Sequence, residues 1–415
     1  MRYPLGAALL LSVAACAGPR PLAKRVIIVT LDTTRVDYIS AYGSTRVSTP
    51  NIDGLARRGA LFEKATTVAP LTLTAHSSLF TGLLPPHHGV RDNAADPLAA
   101  DHATLAEILQ RRGFHTGAFA ASAVLQASRG LSRGFDVYRD GVSDSWSRRF
   151  RRPGGEVVAE ALQWVSQQGD EPFLLWMHLY DAHAPCDPPE PYRSLYKEDP
   201  YAAAVAYADA QVGALLDDLE RRRLLDQTVV VIAADHGESF GEHGEEGHGL
   251  QLYEDVVRVP LIISAHGLQP RRVTAVASLV DVMPTVLDLV GAATPKIDGT
   301  SLMPALKGRP IATDRAAYSE SLYPAHFGGA PLRAVRDDRF KLIDAPQPEL
   351  YDLERDPGEV RNLASERPAV LAGMSQRLGP LTESPAIALP TPRAVSAELR
   401  ERLAALGYVS GTVRK

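Results

Sequence analysis

The sequence lacks an excess of basic residues. Its 415 residues include 44 Lys and Arg against 49 Asp and Glu, giving a formal net charge of −5. This balance argues against nucleic acid as a partner, because nucleic-acid-binding proteins usually carry a basic face. The one dense basic run, Arg148 to Arg152, is too short to change that conclusion and indicates a solvated loop. Repeats and low-complexity segments are also absent, and 45% hydrophobic residues suffice for one large domain or two.

The N-terminal apolar run is also short. Residues Leu5 to Val13 are too few to cross a membrane as a helix. They follow Arg2 and precede Val13-Ala-Ala-Cys16, a pattern typical of a bacterial lipoprotein signal that ends at an acylated cysteine. An ordinary secretory signal that happens to contain a cysteine is the alternative. We therefore expect residues 1–16 to be a signal peptide and residues 17–24 to be a tether.

Cysteine is scarce, with only Cys16 and Cys186 in the chain. If Cys16 is the lipidated N-terminus, Cys186 has no partner and no internal disulfide forms. Ala17 after the acylated cysteine is not an inner-membrane retention signal. We expect a protein of the bacterial cell envelope, anchored by lipid and located at the outer membrane or on the periplasmic side.

Three apolar, β-branched runs predict strands buried on both faces of a parallel sheet: Arg25 to Leu31, Phe173 to Tyr180 and Thr228 to Ala234. Helical patterns separate these runs, so the fold class is α/β with a large, mostly parallel central sheet flanked by helices over residues 25–290. From residue 291 to 415 the units become shorter and more polar. They predict a small antiparallel sheet with helices near Arg367 to Leu378 and Ala394 to Leu406.

Polar side chains follow each of these buried strands. Asp32 ends the first, Asp181 and His183 follow the second, and Asp235 and His236 follow the third. Open α/β sheets bind ligands at the carboxyl ends of their strands. A single acid there is weak evidence of a site, but this repeated placement of metal-ligand side chains predicts one shared site.

The stretch Pro70-Leu-Thr-Leu-Thr-Ala-His-Ser-Ser-Leu-Phe-Thr-Gly82 places Thr72 where a polar loop enters a helix. Helix N-termini bind phosphate and sulfate through free backbone N–H groups. Alone, the stretch is better explained by Thr72 or Thr74 acting as an N-cap. The strand-end residues favour a nucleophile at Thr72.

Many segments of the chain resemble the sulfatase family of the alkaline phosphatase superfamily, in the family's order. They are Val29 to Arg35, Thr49 to Asp53, Leu79 to Gly82, His88 to Val90, Ala234 to Gly237, Gly241 to Gly244, Leu252 to Glu254, Arg258 to Pro260, Leu279 to Thr285, Asp298 to Ser301 and Leu350 to Pro357. The resemblance covers nearly the whole chain and implies an alkaline-phosphatase-like sandwich that hydrolyses esters.

The resemblance places Thr72 where sulfatases carry the cysteine or serine that matures to formylglycine. The family's proline, serine and arginine of that motif fall on Thr74, Ala75 and His76. Relatives that act on phosphorus place a threonine at this point and form a phosphoryl-enzyme. The family's Lys-x-His segment is replaced by Phe119-Ala-Ala-Ser-Ala123. Both departures favour phosphate or phosphonate over sulfate.

The resemblance also implies a metal site. Sulfatases carry two adjacent acids after the first strand and Asp-Asn after the later one, where this chain has Asp32-Thr33 and Asp235-His236. An imidazole in place of oxygen ligands favours zinc or manganese over calcium or magnesium. We expect one divalent metal held by Asp32, Thr72, Asp235 and His236. A site left metal-free by these substitutions is the alternative.

The remaining candidates surround the bound anion. The resemblance gives His183 a substrate contact, places His248 where the family has a lysine, and matches Asn93 to an asparagine of some phosphonate-ester and choline-sulfate hydrolases. His76 would be a second substrate-binding residue. A second metal held by Asp181, His183 and His248 is a further option. Structural roles are expected for His178 and His243, and loop positions for His87 and His88.

The sequence thus predicts a metal-dependent, sulfatase-like envelope hydrolase that cleaves phosphate or phosphonate esters through a covalent Thr72 intermediate. The substrate would be an anionic ester of a small molecule, glycan or lipid. Three alternatives stay open: a sulfuric ester hydrolase, a phosphoethanolamine-type phosphotransferase and an inactive protein that binds anionic glycans.

Overall fold

The structure is a computed structural model that describes residues 22–141, 152–312 and 314–381. Its centre is an eight-stranded sheet in the order β10-β2-β9-β6-β1-β5-β3-β4. The strands are β1 (Arg25–Leu31), β2 (Ala60–Thr66), β3 (His115–Phe119), β4 (Val137–Arg139), β5 (Phe173–Leu179), β6 (Thr228–Ala234), β9 (Leu261–Ser264) and β10 (Arg271–Ser278). Only β9 runs antiparallel to its neighbours, β2 and β6. The predicted mostly parallel sheet is confirmed.

Helices cover both faces of this sheet, as the continuous apolar strands require. Val26 and Ile28 of β1 pack into the core on one face, and Ile27 and Val29 into the core on the other. The main helices are α1 (Pro50–Ala56), α2 (Thr72–Thr81), α4 (Leu105–Arg111), α5 (Gly154–Val165), α7 (Pro200–Arg221) and α9 (Val282–Leu289). Short helices are α3 (Pro85–His88), α6 (Tyr192–Leu195), α8 (Glu254–Val257) and α10 (Met303–Leu306). Neighbouring strands therefore end at one edge between helical layers.

The later part of the chain forms the predicted small antiparallel sheet, in the order β11-β12-β13-β14. Its strands are β11 (Ala317–Ser321), β12 (Leu332–Arg336), β13 (Phe340–Asp344) and β14 (Glu349–Asp352), followed by α11 (Pro368–Leu378). Tyr318 and Val335 share one apolar cluster with Val68 and Leu71, which lead into α2. The small sheet therefore packs directly against the segment that carries Thr72. The boundary predicted at residue 290 stays a prediction.

Four strands were not predicted. The edge strand β10 has an alternating, partly charged sequence, and β4 has only three residues. The ribbon of β7 (Ser239–Phe240) and β8 (Glu246–Gly247) is too short to give a sequence signal. The helix predicted at Ala394 to Leu406 and the leader around Cys16 lie outside the described residues. No helix within the described ranges has the length and apolar character needed to span a bilayer.

Candidate active site

Two neighbouring parallel strands bring the first two acids together. Asp32 directly follows β1 and Asp235 directly follows β6, and Leu31 is in register with Ala234. Ligand atoms of Asp32, Asp235 and His236 lie within 4.8 Å of one another, and all three residues are buried. The sequence prediction that these side chains meet at one sheet edge agrees with this geometry.

The two acids carry oxygens with few partners. Oδ1 of Asp32 and Oδ2 of Asp235 have no hydrogen-bond partner within the described part of the chain, and Oδ2 of Asp32 contacts only Nε2 of His178, at 3.1 Å. Oδ1 of Asp235 accepts from the backbone N–H groups of Thr33 and His236, at 3.2 and 2.8 Å. Buried carboxylates without donors are costly unless a cation pairs with them. The donor set therefore fits a divalent cation.

The electrostatics of the cluster support the same conclusion. Burial, together with the charge of Asp32, raises the pKa of Asp235 to about 6. Burial alone would raise the pKa of Asp32 too, but the contact with His178 and the nearby imidazoles of His183 and His236 hold it below its usual value. Two anions in so small a volume repel each other, and a cation between them would remove the repulsion.

His236 directs one ring nitrogen into the site. Its Nδ1 donates to the carbonyl oxygen of Gly237 at 2.9 Å, which leaves a lone pair on Nε2 when the ring is neutral. That Nε2 lies 3.4 Å from Oγ1 of Thr72. The predicted set Asp32, Thr72, Asp235 and His236 is therefore assembled in one place.

Thr72 is the first residue of α2 and is 2% exposed. The start of this helix is closed by a residue distant in sequence, since Oδ1 of Asn93 accepts from the backbone N–H of Leu73 at 2.9 Å. Asn93, predicted to bind substrate, thus caps the helix with its oxygen. Its amide nitrogen is left to contact an anion beside Thr72.

His76 lies beneath the cluster rather than at its opening. It is fully buried, and its Nδ1 donates to the carbonyl oxygen of Thr72 at 2.7 Å. Its Nε2 lies 2.9 Å from the hydroxyl of Thr30, which itself accepts from the indole N–H of Trp176. Burial and the neighbouring His178 lower the pKa of His76 to about 3. This position favours a neutral supporting residue over the predicted cationic contact with substrate.

His178 is the residue that sequence reasoning missed. It lies in β5 in register with Thr30, and its Nε2 is 3.1 Å from Oδ2 of Asp32. Ligand atoms of His76, His178 and Asp235 also lie within 4.8 Å of one another. A histidine inside an otherwise apolar buried strand, one residue before the strand ends, was the available signal. The structure places His178 beside the cluster of Asp32, Asp235 and His236.

His183 and His248 face each other at the mouth of the site, with their Nε2 atoms 3.3 Å apart. The Nδ1 of His183 donates to the carbonyl oxygen of Ala184 at 2.9 Å, and that of His248 donates to Pro70 at 3.1 Å. When both rings are neutral, two lone pairs therefore point at each other. Burial and the neighbouring His236 and His183 lower the pKa of His248 to about 3. The pair can share a proton, a substrate oxygen or a cation.

Asp181 does not join these two histidines, contrary to the predicted second metal set. Its Oδ1 accepts from the backbone N–H of Gly154 at 3.0 Å, at the start of α5. Within the described ranges, Asp181, His183 and His248 do not form a group close enough to share an ion. The side chain turns toward the helix because a carboxylate is stabilised at a helix N-terminus.

His243, His87 and His88 lie outside the cluster, and the contacts of His243 and His88 are those of structural residues. The ring of His243 stacks on Tyr253 with centroids 3.7 Å apart. His87 and His88 were expected in a loop, but they end the short helix α3, and His88 is buried with Nε2 2.8 Å from the hydroxyl of Ser78. The proline pair that opens this segment can start a helical turn, which explains the difference.

The backbone at the site is strained. Thr33, directly after Asp32, has a φ of 51°, which is rare for a β-branched residue. The hydroxyl of Tyr201 donates to its carbonyl oxygen at 2.6 Å and holds this conformation. The turn aims the Thr33 N–H at Asp235 and so joins the two acid-bearing loops.

The α/β sandwich and the buried carboxylate and imidazole cluster define the class: an ester hydrolase of the alkaline phosphatase superfamily, whose sulfatase branch is metal-dependent. A family model described as Sulfatase matches residues 24–292, so the chain belongs to the sulfatase family. A second model, described as N-sulphoglucosamine sulphohydrolase, C-terminal, matches residues 241–383.

Relatives within this family differ in the esters they are named for. Choline-sulfatase of Rhizobium meliloti is 28% identical, and the match covers 76% of this chain and 77% of that protein. Delta 4,5-hexuronate-2-O-sulfatase of Bacteroides thetaiotaomicron is 24% identical, over 82% of this chain and 84% of that protein. The structure of a phosphonate monoester hydrolase of Agrobacterium radiobacter superposes with a TM-score of 0.77 at 24% identity, over 87% and 95% of the two chains.

Proposed function

We propose that this protein hydrolyses phosphate or phosphonate esters, using Thr72 as the nucleophile. The observation that carries the proposal is the position of the Thr72 hydroxyl, at a buried helix start and 3.4 Å from Nε2 of His236. The chain has no cysteine there, because its two cysteines are Cys16 and Cys186. A threonine can accept a phosphoryl group without prior oxidation.

The residues of the site then have distinct tasks. A divalent cation bound by Asp32, Asp235 and His236 would supply a Lewis acid that lowers the pKa of the Thr72 hydroxyl. Oγ1 of Thr72 gives its proton to water and bonds to phosphorus while the bond from phosphorus to the leaving oxygen breaks, and the leaving oxygen takes up a proton from water. A second water later splits the phosphothreonine and restores the hydroxyl. The N–H groups at the start of α2 and the amide of Asn93 hold the nonbridging oxygens. Nε2 of His183 and Nε2 of His248 face each other at the opening, where they can contact a substrate oxygen or hold a cation.

The donor set also supports a proposal about the metal. Two carboxylates, one imidazole and a hydroxyl suit zinc or manganese better than calcium, which prefers six or more oxygen ligands. At the opening of the site, the Nε2 atoms of His183 and His248 are 3.3 Å apart. Two ligand atoms on a tetrahedral zinc, each about 2.0–2.1 Å from the ion, would also be roughly 3.3 Å apart. We propose this pair as the place for a second cation, without Asp181.

The test of the reaction is a panel of aryl phosphate monoesters, diesters, phosphonates and sulfates, run with metal analysis of the protein. We expect turnover of phosphorus esters, a loss of at least about 10³-fold in kcat for Thr72→Ala, and retained activity for Thr72→Ser. Rapid quenching of the wild type should trap a phosphoryl group on Thr72, which mass spectrometry of peptides can locate.

Each competing function has its own outcome in this panel. Turnover of sulfates alone, with full activity in Thr72→Ala, would show a sulfuric ester hydrolase that uses another nucleophile. Transfer of the group to a lipid or glycan acceptor, in place of release, would show a transferase. Absence of turnover and of bound metal over a wide pH range would leave a protein that only binds anionic glycans.

We also propose that the protein is a lipoprotein of the cell envelope, anchored through Cys16. The support is the sequence Val13-Ala-Ala-Cys16 after a basic and apolar leader. Labelled palmitate should be incorporated into the wild type expressed in a Gram-negative host, and not into Cys16→Ser. Equal labelling of Cys186→Ser would serve as the control.

A further inference from the structure

A groove of about 600 Å³ lies at the open edge of the large sheet, where β10 has no neighbour beyond it. Six cationic side chains line it: Lys64, Arg271, Arg272, Arg309, Arg336 and Arg339. Only two acidic residues, Asp338 and Glu354, share the lining. In a chain with net charge −5, this concentration of positive charge in a concavity is the reverse of the overall balance.

Part of this charge is already neutralised within the protein. Lys64 lies 3.5 Å from Asp338, Arg272 pairs with Glu63 at 2.6 Å, and Arg339 pairs with Asp352 at 2.6 Å. Arg336 is 4% exposed and lies 3.5 Å from Glu254, so its charge is also balanced within the protein.

Two arginines of the groove have no acidic partner. Within the described ranges, neither Arg271 nor Arg309 forms an ion pair. The one side-chain hydrogen bond found for them there runs from Nε of Arg271 to the carbonyl oxygen of Gln269, at 3.3 Å. Arginine is well suited to carboxylate, phosphate and sulfate groups because its donors form a planar fork. The two unpaired guanidinium groups therefore define an anion site.

The shape and composition of the groove restrict the occupant. A flat membrane surface would not enter a concavity of this kind. The lining contains no aromatic residue on which nucleic-acid bases could stack, and its apolar members are aliphatic: Val273, Ala275, Ala305, Ile311 and Leu353. An added peptide strand needs a regular edge, whereas β10 has a bulge between Val273 and Val276.

The groove is also separate from the catalytic cluster. The groove is lined by the first half of β10, whereas the catalytic acids follow β6 and β1. Strand β10 is three strands away from β6 and four away from β1, which corresponds to about 14–19 Å at the usual strand spacing. A ligand that is short enough to fit the cluster alone would not reach it. The groove can therefore hold a second segment of a long ligand, or a separate molecule.

We propose that this groove is a secondary binding site for an acidic oligosaccharide, with Arg271 and Arg309 holding its anionic substituents. The site does not depend on which ester is cleaved at Thr72. Its function is to hold a glycan chain at the edge of the protein, away from the reacting group.

Binding of a heparin-derived hexasaccharide to the full chain tests the proposal, measured by calorimetry at low and high salt. We expect the double variant Arg271→Gln/Arg309→Gln to bind about tenfold or more weakly than the wild type. The matched control Arg111→Gln/Arg223→Gln removes the same charge from exposed positions outside the groove and should keep the wild-type affinity. Turnover of a small aryl ester should be equal in all three proteins.

Three results would overturn the proposal: equal affinity in the wild type and the groove variant, equal weakening in the control, or equally tight binding of a glutamate hexapeptide, a thymidine hexanucleotide or phosphatidylglycerol vesicles. Displacement of the hexasaccharide by a small aryl ester would also contradict it, because it would place the glycan in the catalytic cluster. The binding measurement does not require turnover, so a failed reaction at Thr72 leaves this test intact.

Discussion

At the scale of single residues, the site combines buried charge with chemistry. Asp235 is 1% exposed, and its Oδ2 has no hydrogen-bond partner in the described ranges. Burial and the charge of Asp32 raise its pKa to about 6, so its ionised form destabilises the fold unless a cation is bound. Function and stability therefore make opposite demands on the same carboxylate.

The variant Asp235→Asn separates these demands. We expect it to lose most of its metal, measured by elemental analysis, and most of its activity. In metal-free protein, the same change should raise the free energy of unfolding by about 1–2 kcal/mol, because it removes a buried charge that Asp32 repels. Asp217→Asn, an exposed acid on α7, is the control and should change neither quantity. Lower stability of metal-free Asp235→Asn would contradict this account.

His88 provides a pH dependence away from the metal cluster. It accepts from the backbone N–H of Val90 at Nδ1, and burial together with the neighbouring His102 lowers its pKa to about 3. The unfolded chain binds the proton near pH 6.5, whereas the folded chain does not. The stabilising effect of a neutral His88 is therefore complete above pH 6.5 and decreases as the pH falls toward 3.

Urea unfolding at several pH values between 7 and 4 measures this effect. The wild type should lose up to about 5 kcal/mol from His88 over the full range to pH 3, and His88→Gln should show a shallower decline. His266→Gln, at a position that is 68% exposed in its side chain, should follow the wild type. Parallel curves for wild type and His88→Gln would rule out this titration as a source of acid sensitivity.

At the scale of elements, helix α2 is positioned by contacts from outside itself. All ten of its residues are buried, and its first turn is capped by Asn93, 20 residues further along the chain. The cap and the predicted substrate contact use different atoms of the same side chain, the oxygen for the helix and the nitrogen for the anion. Substitutions can therefore distinguish the two roles.

Asn93→Asp keeps an oxygen acceptor but replaces the amide nitrogen and adds a negative charge. We expect near-normal thermal stability with kcat/KM at least about tenfold lower, since the charge repels an anionic substrate. Asn93→Leu should lose about 1 kcal/mol of stability as well as activity, because the cap is gone. If Asn93→Asp has full activity, the amide does not contact substrate.

The strand ends were predictable because burial and parallel pairing place Asp32, Asp235 and His236 at one edge. The orientations of Asp181 and His76 were not predictable in the same way. The first depends on the N-terminus of α5, and the second on a four-residue helical spacing that aims Nδ1 of His76 at the carbonyl oxygen of Thr72. Such local hydrogen bonds leave no periodic signal in the sequence.

At the scale of the whole molecule, a buried ion network joins the small sheet to helix α8. Lys341 of β13 is 1% exposed, and its Nζ lies 2.9 Å from Glu359 and 3.3 Å from Glu254 at the start of α8. Burial raises the pKa of Glu359 to about 7, although the charge of Lys341 opposes this shift. Removing the lysine would leave Glu359 without its cation and Glu254 with only Arg336, at 3.5 Å.

Lys341→Met should therefore lower the free energy of unfolding by about 3–5 kcal/mol, as measured by urea denaturation. Lys307→Met, at an exposed lysine, should have little effect. The double change Lys341→Met/Glu359→Gln should recover part of the loss because it removes one of the unpaired charges. A loss below about 1 kcal/mol in Lys341→Met would show that the network contributes little.

The apolar cluster that unites Val68 and Leu71 with Tyr318 and Val335 has a consequence for how the chain matures. The segment leading to Thr72 emerges early during synthesis, but the side chains that cover it come from β11 and β12, about 250 residues later. The nucleophile therefore cannot reach its final position on a partly made chain. If the predicted leader directs export of an unfolded chain, the reactive centre forms only after β11 and β12 have crossed the membrane.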